Sequence, residues 1–173
     1  MRRALLALAL LCGFAGGAHA QGSYAIYGDY PNVTVTGTTS ETLLASVPVQ
    51  ANALGVNGLL RLTWTASYTN SANNKSTIFR VGPSSGVTGT GCVTSVVTTT
   101  ATVQQIFFYR NRGTASTNAC FSTLAPYGSL TNPAENVPNI NTAAPWFINI
   151  TMTLASAGDS FTLNGWTMEI INP

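Results

Sequence analysis

In the run Leu60-Arg61-Leu62-Thr63-Trp64-Thr65-Ala66-Ser67-Tyr68, every second side chain is apolar. Leu60, Leu62, Trp64, Ala66 and Tyr68 fall on one face, and Arg61, Thr63, Thr65 and Ser67 on the other. That is the period of a strand laid with one side on a core. A helix, at about 3.6 residues per turn, would mix the two sets. The stretch from Trp146 to Leu154 repeats the pattern, with Ile148, Ile150, Met152 and Leu154 opposed to Asn149, Thr151 and Thr153. Both segments read as half-buried antiparallel strands.

The rest of the chain agrees with a β reading. It is rich in Thr, Ser, Asn, Gly and Val and poor in the helix formers Lys and Glu. Further strands are expected at 41–49, 76–81, 92–99 and 103–110 and around 23–36. In the last segment Phe161 and Leu163 share a face, and Trp166, Met168 and Ile170 continue it only after Asn164-Gly165. A slip of one residue at a glycine predicts a β-bulge there. Turn-rich stretches at 70–74, 82–91, 111–119 and 125–144 separate the strands, and one short helical turn is expected near Ala51–Leu54. Short strands with regular turn signals predict an all-β fold, a jelly-roll-like antiparallel β-sandwich of about eight strands.

The N-terminal segment has the layout of a secretory signal peptide. Arg2 and Arg3 precede an apolar core from Ala4 to Phe14, and Ala18-His19-Ala20 supplies a small-x-small cleavage site. Residues 1–20 are therefore expected to be removed, leaving 21–173 as one β-sandwich domain, secreted or held in the periplasm or at the cell surface. The apolar run is shorter than the roughly 20 residues a bilayer-spanning helix needs, so no membrane insertion is expected after cleavage. Cleavage would remove the only histidine, His19, together with Cys12. It would leave Arg61, Lys75, Arg80, Arg110 and Arg112 against Asp29, Glu41, Glu135, Asp159 and Glu169, a formally neutral balance. Nucleic acid is not an expected partner, because a phosphate-binding surface needs clustered cations. Cys92 and Cys120 remain as an even pair, which in an oxidising compartment predicts a disulfide.

Most catalytic chemistry is excluded by what is missing. Without histidine there is no Ser-His-Asp or Cys-His nucleophile and no imidazole-based zinc site. Gly82-Pro83-Ser84-Ser85-Gly86 lacks the Gly-Lys-Ser/Thr ending of a phosphate loop. A glycosidase needs only two carboxylates, but each acid here has an ordinary turn, strand-end or solvent-face position. No catalytic residue, metal site or cofactor is expected. Among the aromatic residues, Trp64, Phe79, Phe107, Phe161 and Trp166 read as core. Tyr24, Tyr27, Tyr30, Tyr109, Tyr127 and Trp146 fall nearer turns, where rings beside Asn, Thr and Arg donors make a sugar platform or close the end of a sandwich.

A resemblance adds to this. The run from Thr36 to Ala45, followed by Ala51-Asn52-Ala53-Leu54-Gly55-Val56-Asn57-Gly58-Leu59-Leu60-Arg61, resembles small bacteriophage virion proteins of the tail-fibre or jelly-roll type. Asn73-Asn74-Lys75, Asn111-Arg112-Gly113 and the closing Ala157 to Glu169 do so as well, in the same order. The resemblance implies a structural or receptor-binding module, oligomeric and often trimeric, without catalysis. The signal segment and the cysteine pair depart from that pattern and suggest a related domain exported by a bacterium. A second comparison is with chaperone-assembled pilins, which are exported, Thr-rich and carry one disulfide. Here the cysteines lie farther from the mature N-terminus, and the penultimate tyrosine is missing.

Together these readings predict a non-enzymatic secreted β-sandwich that binds or adheres to glycans or another surface polymer, as a homo-oligomer with a trimer favoured. The alternatives are a structural subunit of a pilin-like or tail-fibre-like assembly and, last, a carboxylate-dependent glycosidase. The expected contacts are Tyr109, Arg110 and Arg112, with Tyr127 and Trp146 flanking the long loop.

Overall fold

A computed structural model of the chain describes residues 24–99, 101–122 and 137–172. Ten strands run in chain order: β1 Tyr24–Asp29, β2 Val33–Thr36, β3 Thr42–Val49, β4 Leu59–Tyr68, β5 Lys75–Gly82, β6 Thr90–Val97, β7 Thr102–Asn111, β8 Asn118–Ser122, β9 Trp146–Leu154 and β10 Ser160–Ile171. They form two antiparallel sheets packed as a sandwich, as the alternation predicts. The front sheet has the order β1-β10-β4-β7-β8, with β2 also on β10, and the back sheet is β3-β9-β5-β6.

Strand β10 is the spine of the front sheet. One edge of it pairs with β4 along its whole length; the other is shared, β2 taking Ser160 to Leu163 and β1 taking Trp166 to Ile171. The expected bulge is present, since the register against β4 shifts between Leu163 and Gly165. The fold differs from the expected strand list in two places. The segment around 23–36 is two strands, because Pro31 lacks an amide donor and Asn32 takes a left-handed φ of 47°. Strand β8 begins inside the stretch expected to be a turn, at Asn118 and Ala119, and was not among the expected strands; it pairs with β7 from Phe107↔Ser122 to Asn111↔Asn118. Ala51–Leu54 is a turn rather than a helical one, with Asn52 also left-handed.

Burial alternates strictly along β4, so Leu60, Leu62, Trp64, Ala66 and Tyr68 point into the core. There Trp64, Phe79, Phe107 and Phe161 meet, with ring centroids 5.8 Å apart for Trp64 and Phe79, 5.0 Å for Phe79 and Phe107, and 6.1 Å for Trp64 and Phe161. Strand β9 departs from the half-buried expectation: Asn149 and Thr151 are buried as well. The β5–β6 loop folds over Asn149, and Glu41 caps Thr151. Asn149 Nδ2 donates to Ser84 O at 2.9 Å, and Ser46 Oγ donates to Asn149 Oδ1 at 2.7 Å. Thr151 Oγ1 bonds Glu41 at 2.5 Å, and Glu41 in turn is paired with Arg80.

The two sides of the sandwich differ. On one side, Cys92 of β6 is bonded to Cys120 of β8, which joins the edge strands of the two sheets. On the other, β2 lies against β3, and next to them a groove of about 450 Å³ opens between β1, β10 and β3.

Candidate functional site

The expected contact residues come to one end of the sandwich but do not form one surface. Tyr109 and Trp146 are wholly inside, packed against each other at a tilt with ring centroids 4.8 Å apart. Burial pushes the Tyr109 phenol far above its usual range. This corrects their assignment as ligand contacts: β7 continues to Asn111 and β9 begins at Trp146, so both rings belong to strands and face the core. Arg110 is exposed on the outer face of the front sheet, and Arg112 is exposed in the β7–β8 turn. Tyr127 lies outside the described residues.

What closes this end is Asn111, a residue expected only to start a turn. Its Nδ2 donates to Gly55 O at 2.9 Å and Thr142 Oγ1 at 2.8 Å, and its Oδ1 accepts from Asn118 Nδ2 at 2.9 Å. Asn118 Oδ1 accepts from Ile140 N at 2.8 Å. Buried amides that use both ends in this way fix loops together, and this one ties the β3–β4 loop, the β7–β8 hairpin and the approach to β9.

The broadest organised surface is the outer face of the front sheet, built by the polar half of each alternating strand. Register places cross-strand neighbours in rows. The first row is Thr34, Thr162, Ser67 and Thr102, all hydroxyls. Thr34 and Thr162 are hydrogen-bonded at 2.8 Å, and Ser67 Oγ donates to Asn164 Oδ1 at 3.2 Å. The bulge follows, with Thr65 between Gly165 and Gln104, and then Thr63 between Thr167 and Ile106. The next row runs Glu169, Arg61, Phe108, Phe121. Arg61 and Glu169 form an ion pair with side chains 41% and 16% exposed, and Phe108 and Phe121 stack at 5.0 Å, half-buried.

One aromatic ring stands over this face. Tyr30, in the link between β1 and β2, is 77% exposed, and its ring lies on Gly165. A Cβ at Gly165 would fall 2.5 Å from Tyr30 Cδ1, so the glycine that produces the bulge also seats the ring. The sequence grouped Tyr30 only with the rings nearer turns, and no sequence pattern pairs it with a position so distant in the chain.

The described acids are dispersed over separate partners. Glu41 is held by Arg80, which keeps its carboxyl below the usual range against the cost of burial. Asp159 sits against Lys75, Glu169 against Arg61, and Asp29 Oδ1 accepts from Tyr30 N at 2.8 Å. Among the described residues no three His, Cys, Asp or Glu side chains gather as metal ligands, and no helix is long and apolar enough to cross a membrane.

No protein-family model matches the chain, and no curated protein matches it. Among solved structures it is similar to the Bacillus endospore appendages described as a novel family of disulfide-linked pili, at 15% identity over 90% of this chain and 95% of that one, with a TM-score of 0.36. It is similar to the lectin from Bauhinia forficata solved with GalNAc, at 10% identity over 87% and 99%, with a TM-score of 0.39. It is also similar to the infectious bursal disease virus VP2 subviral particle, at 11% identity over 88% of this chain but only 33% of that one, with a TM-score of 0.41. Likenesses this distant transfer no function to the present chain.

Proposed function

We propose that the protein is an exported, non-catalytic β-sandwich that adheres to a glycan or related surface polymer through the outer face of its front sheet. One observation carries the reading: an exposed aromatic ring, Tyr30, is fixed beside rows of hydroxyl, amide and guanidinium groups on a single sheet face. Sugars present apolar C–H faces that stack on rings, together with hydroxyls that bond planar polar side chains. Arg61, Glu169 and Gln104 supply such groups, and their strands hold them without a rearrangement on binding. The low charge of the face suits a neutral polymer over a phosphate one. The dispersal of the described acids, three over separate cations and Asp29 on a backbone amide, supports adhesion over hydrolysis, which needs two carboxylates facing one bond. The disulfide and the signal-like segment support an extracellular or surface location.

The test is binding of the oxidised protein to a glycan array and to insoluble polysaccharides, alongside Tyr30→Ala and Gln104→Ala. Both substitutions are at exposed positions and should leave the melting temperature unchanged while weakening binding roughly tenfold each. Saturable binding that ignores both variants would remove this face from consideration. Failure to bind any polymer would end the adhesion reading and leave the structural-subunit alternative.

A further inference from the structure

A sandwich with open sheets has edges to protect, and among the described strands all but one are protected. Edge strand β3 carries Pro48 and a register shift between Leu43 and Ala45. On β6, the pairing with β5 shifts between Phe79 and Arg80. Strand β8 is five residues long and its Cys120 is bonded across to β6, while β2 has only four residues. Proline, bulges and shortness are the usual devices that keep an edge from recruiting another strand. Strand β1 has none of them. Its six residues pair with β10 without a break from Tyr24↔Ile171 to Asp29↔Trp166, and they include no proline, no lysine and no arginine. The edge that points away from β10 is a run of backbone donors and acceptors that another extended strand can match in full.

We infer that this edge is a pairing surface for a second copy of the chain, β1 lying antiparallel to β1 across a two-fold axis. Two observations select that occupant, and the symmetry of the pairing agrees with them. The strand is its own antiparallel complement in charge: its one ionic residue, Asp29, stands at its end. With Tyr27 opposite Tyr27, the two Asp29 carboxylates lie roughly 14 Å apart along the strands, beyond the physiological screening length. Tyr27 is 50% exposed and already lines the groove between the sheets, with Val49, Gln50, Trp166, Met168 and Ile170. At the two-fold axis both Tyr27 rings stand on the groove side, so each subunit adds a ring to the mouth of its partner's groove. Pairing of this kind is closed and joins two six-stranded sheets into one, leaving no free β1 edge to propagate. It does not rest on the adhesive reading above; it would give any such face a second, fixed copy.

The experiment is light scattering and sedimentation on the oxidised, exported protein. A dimer is expected. Tyr27→Lys, which sets two ammonium groups across the axis, should raise its dissociation constant roughly a hundredfold while the circular dichroism of the folded subunit stays unchanged. Tyr27→Cys should give a covalent dimer under mild oxidation that thiol reductants reverse, because paired strands bring these positions within disulfide reach. A monomer at every soluble concentration would overturn the inference. So would a trimer, or a dimer that ignores Tyr27→Lys and yields no Tyr27→Cys cross-link.

Discussion

Lys75 shows how much a single residue can carry in a fold with so few charges. It opens β5 and is fully buried, and its Nζ donates to Ser71 Oγ at 2.6 Å, Asn73 O at 2.9 Å and Thr98 O at 3.3 Å. Asp159 Oδ2 stands 3.6 Å away, and the Tyr68 ring is 5.9 Å below. Burial alone would raise the Asp159 pKa, but hydrogen bonds from Ser71 and Asn73 and the charge of Lys75 outweigh it and hold the carboxyl below its usual range. A depressed carboxylate contributes stability that is fully present above its unfolded pKa, near 3.9, and is lost as pH falls through the lower folded value. Glu41 acts in the same direction. The melting temperature should therefore hold down to about pH 4 and drop below it. Lys75→Met removes the cation and leaves Asp159 as a buried, uncompensated charge, which is more costly than an absent pair. That variant should be much less stable at neutral pH, and its deficit against the parent should narrow as acid neutralises Asp159. Circular-dichroism melts across the acid range would show this, and a deficit independent of pH would refute the charge account. Neither partner stood out in the sequence, because Lys75 follows a turn and Asp159 sits in one. The tertiary fold alone brings the two together.

At the scale of elements, the β5–β6 loop offers a sharp test of how the back sheet is covered. Gly89 has a φ of +103°, and a Cβ there would lie 2.7 Å from Val81 O. Gly89→Ala should cost roughly 1–3 kcal/mol through this strain. The shift would appear as a lowered denaturant midpoint with an unchanged slope. The same loop explains a limit of reading strands from alternation. Thr and Asn at every second position of β9 signal a solvent face. Whether a loop returns to bury it depends on bonds such as Asn149 to Ser84, far apart in the chain. Where both neighbours are strands and no loop intervenes, as for β4, the alternation identified the inward and outward faces correctly. The bulge at Asn164-Gly165 was legible because a phase slip leaves its mark in the pattern itself. The ends of β7 and β9 were read to within a residue, but the rings near them were assigned to the surface, although the phase of each strand turns Tyr109 and Trp146 inward. Tyr30 was hidden for the opposite reason, since a turn residue's packing partner cannot be read from the turn.

Across the whole molecule, the arrangement of the two sheets is held differently at its two sides, and the difference makes the disulfide's contribution measurable. The described strands pair mostly with distant partners: β1 and β4 both with β10, β3 and β5 both with β9. The closed side depends on β6 and β8, edge strands of opposite sheets that no backbone ladder joins. Cys92 and Cys120, 28 residues apart, supply that connection. In the chain-entropy account a loop of this length restricts the unfolded state enough to stabilise the fold by about 3–4 kcal/mol. For a domain of this size that is roughly 10 °C in melting temperature. It remains below the total stability typical of domains with a continuous core, so the paired Cys92→Ala and Cys120→Ala variant should stay folded at room temperature. Its circular dichroism should match the parent's, with the whole loss appearing in the urea midpoint. If the variant instead loses its fold outright, the apolar core does not suffice to hold the two sheets together. The disulfide would then be a condition of folding, and the domain could form only where oxidation precedes or accompanies the pairing of β7 with β8.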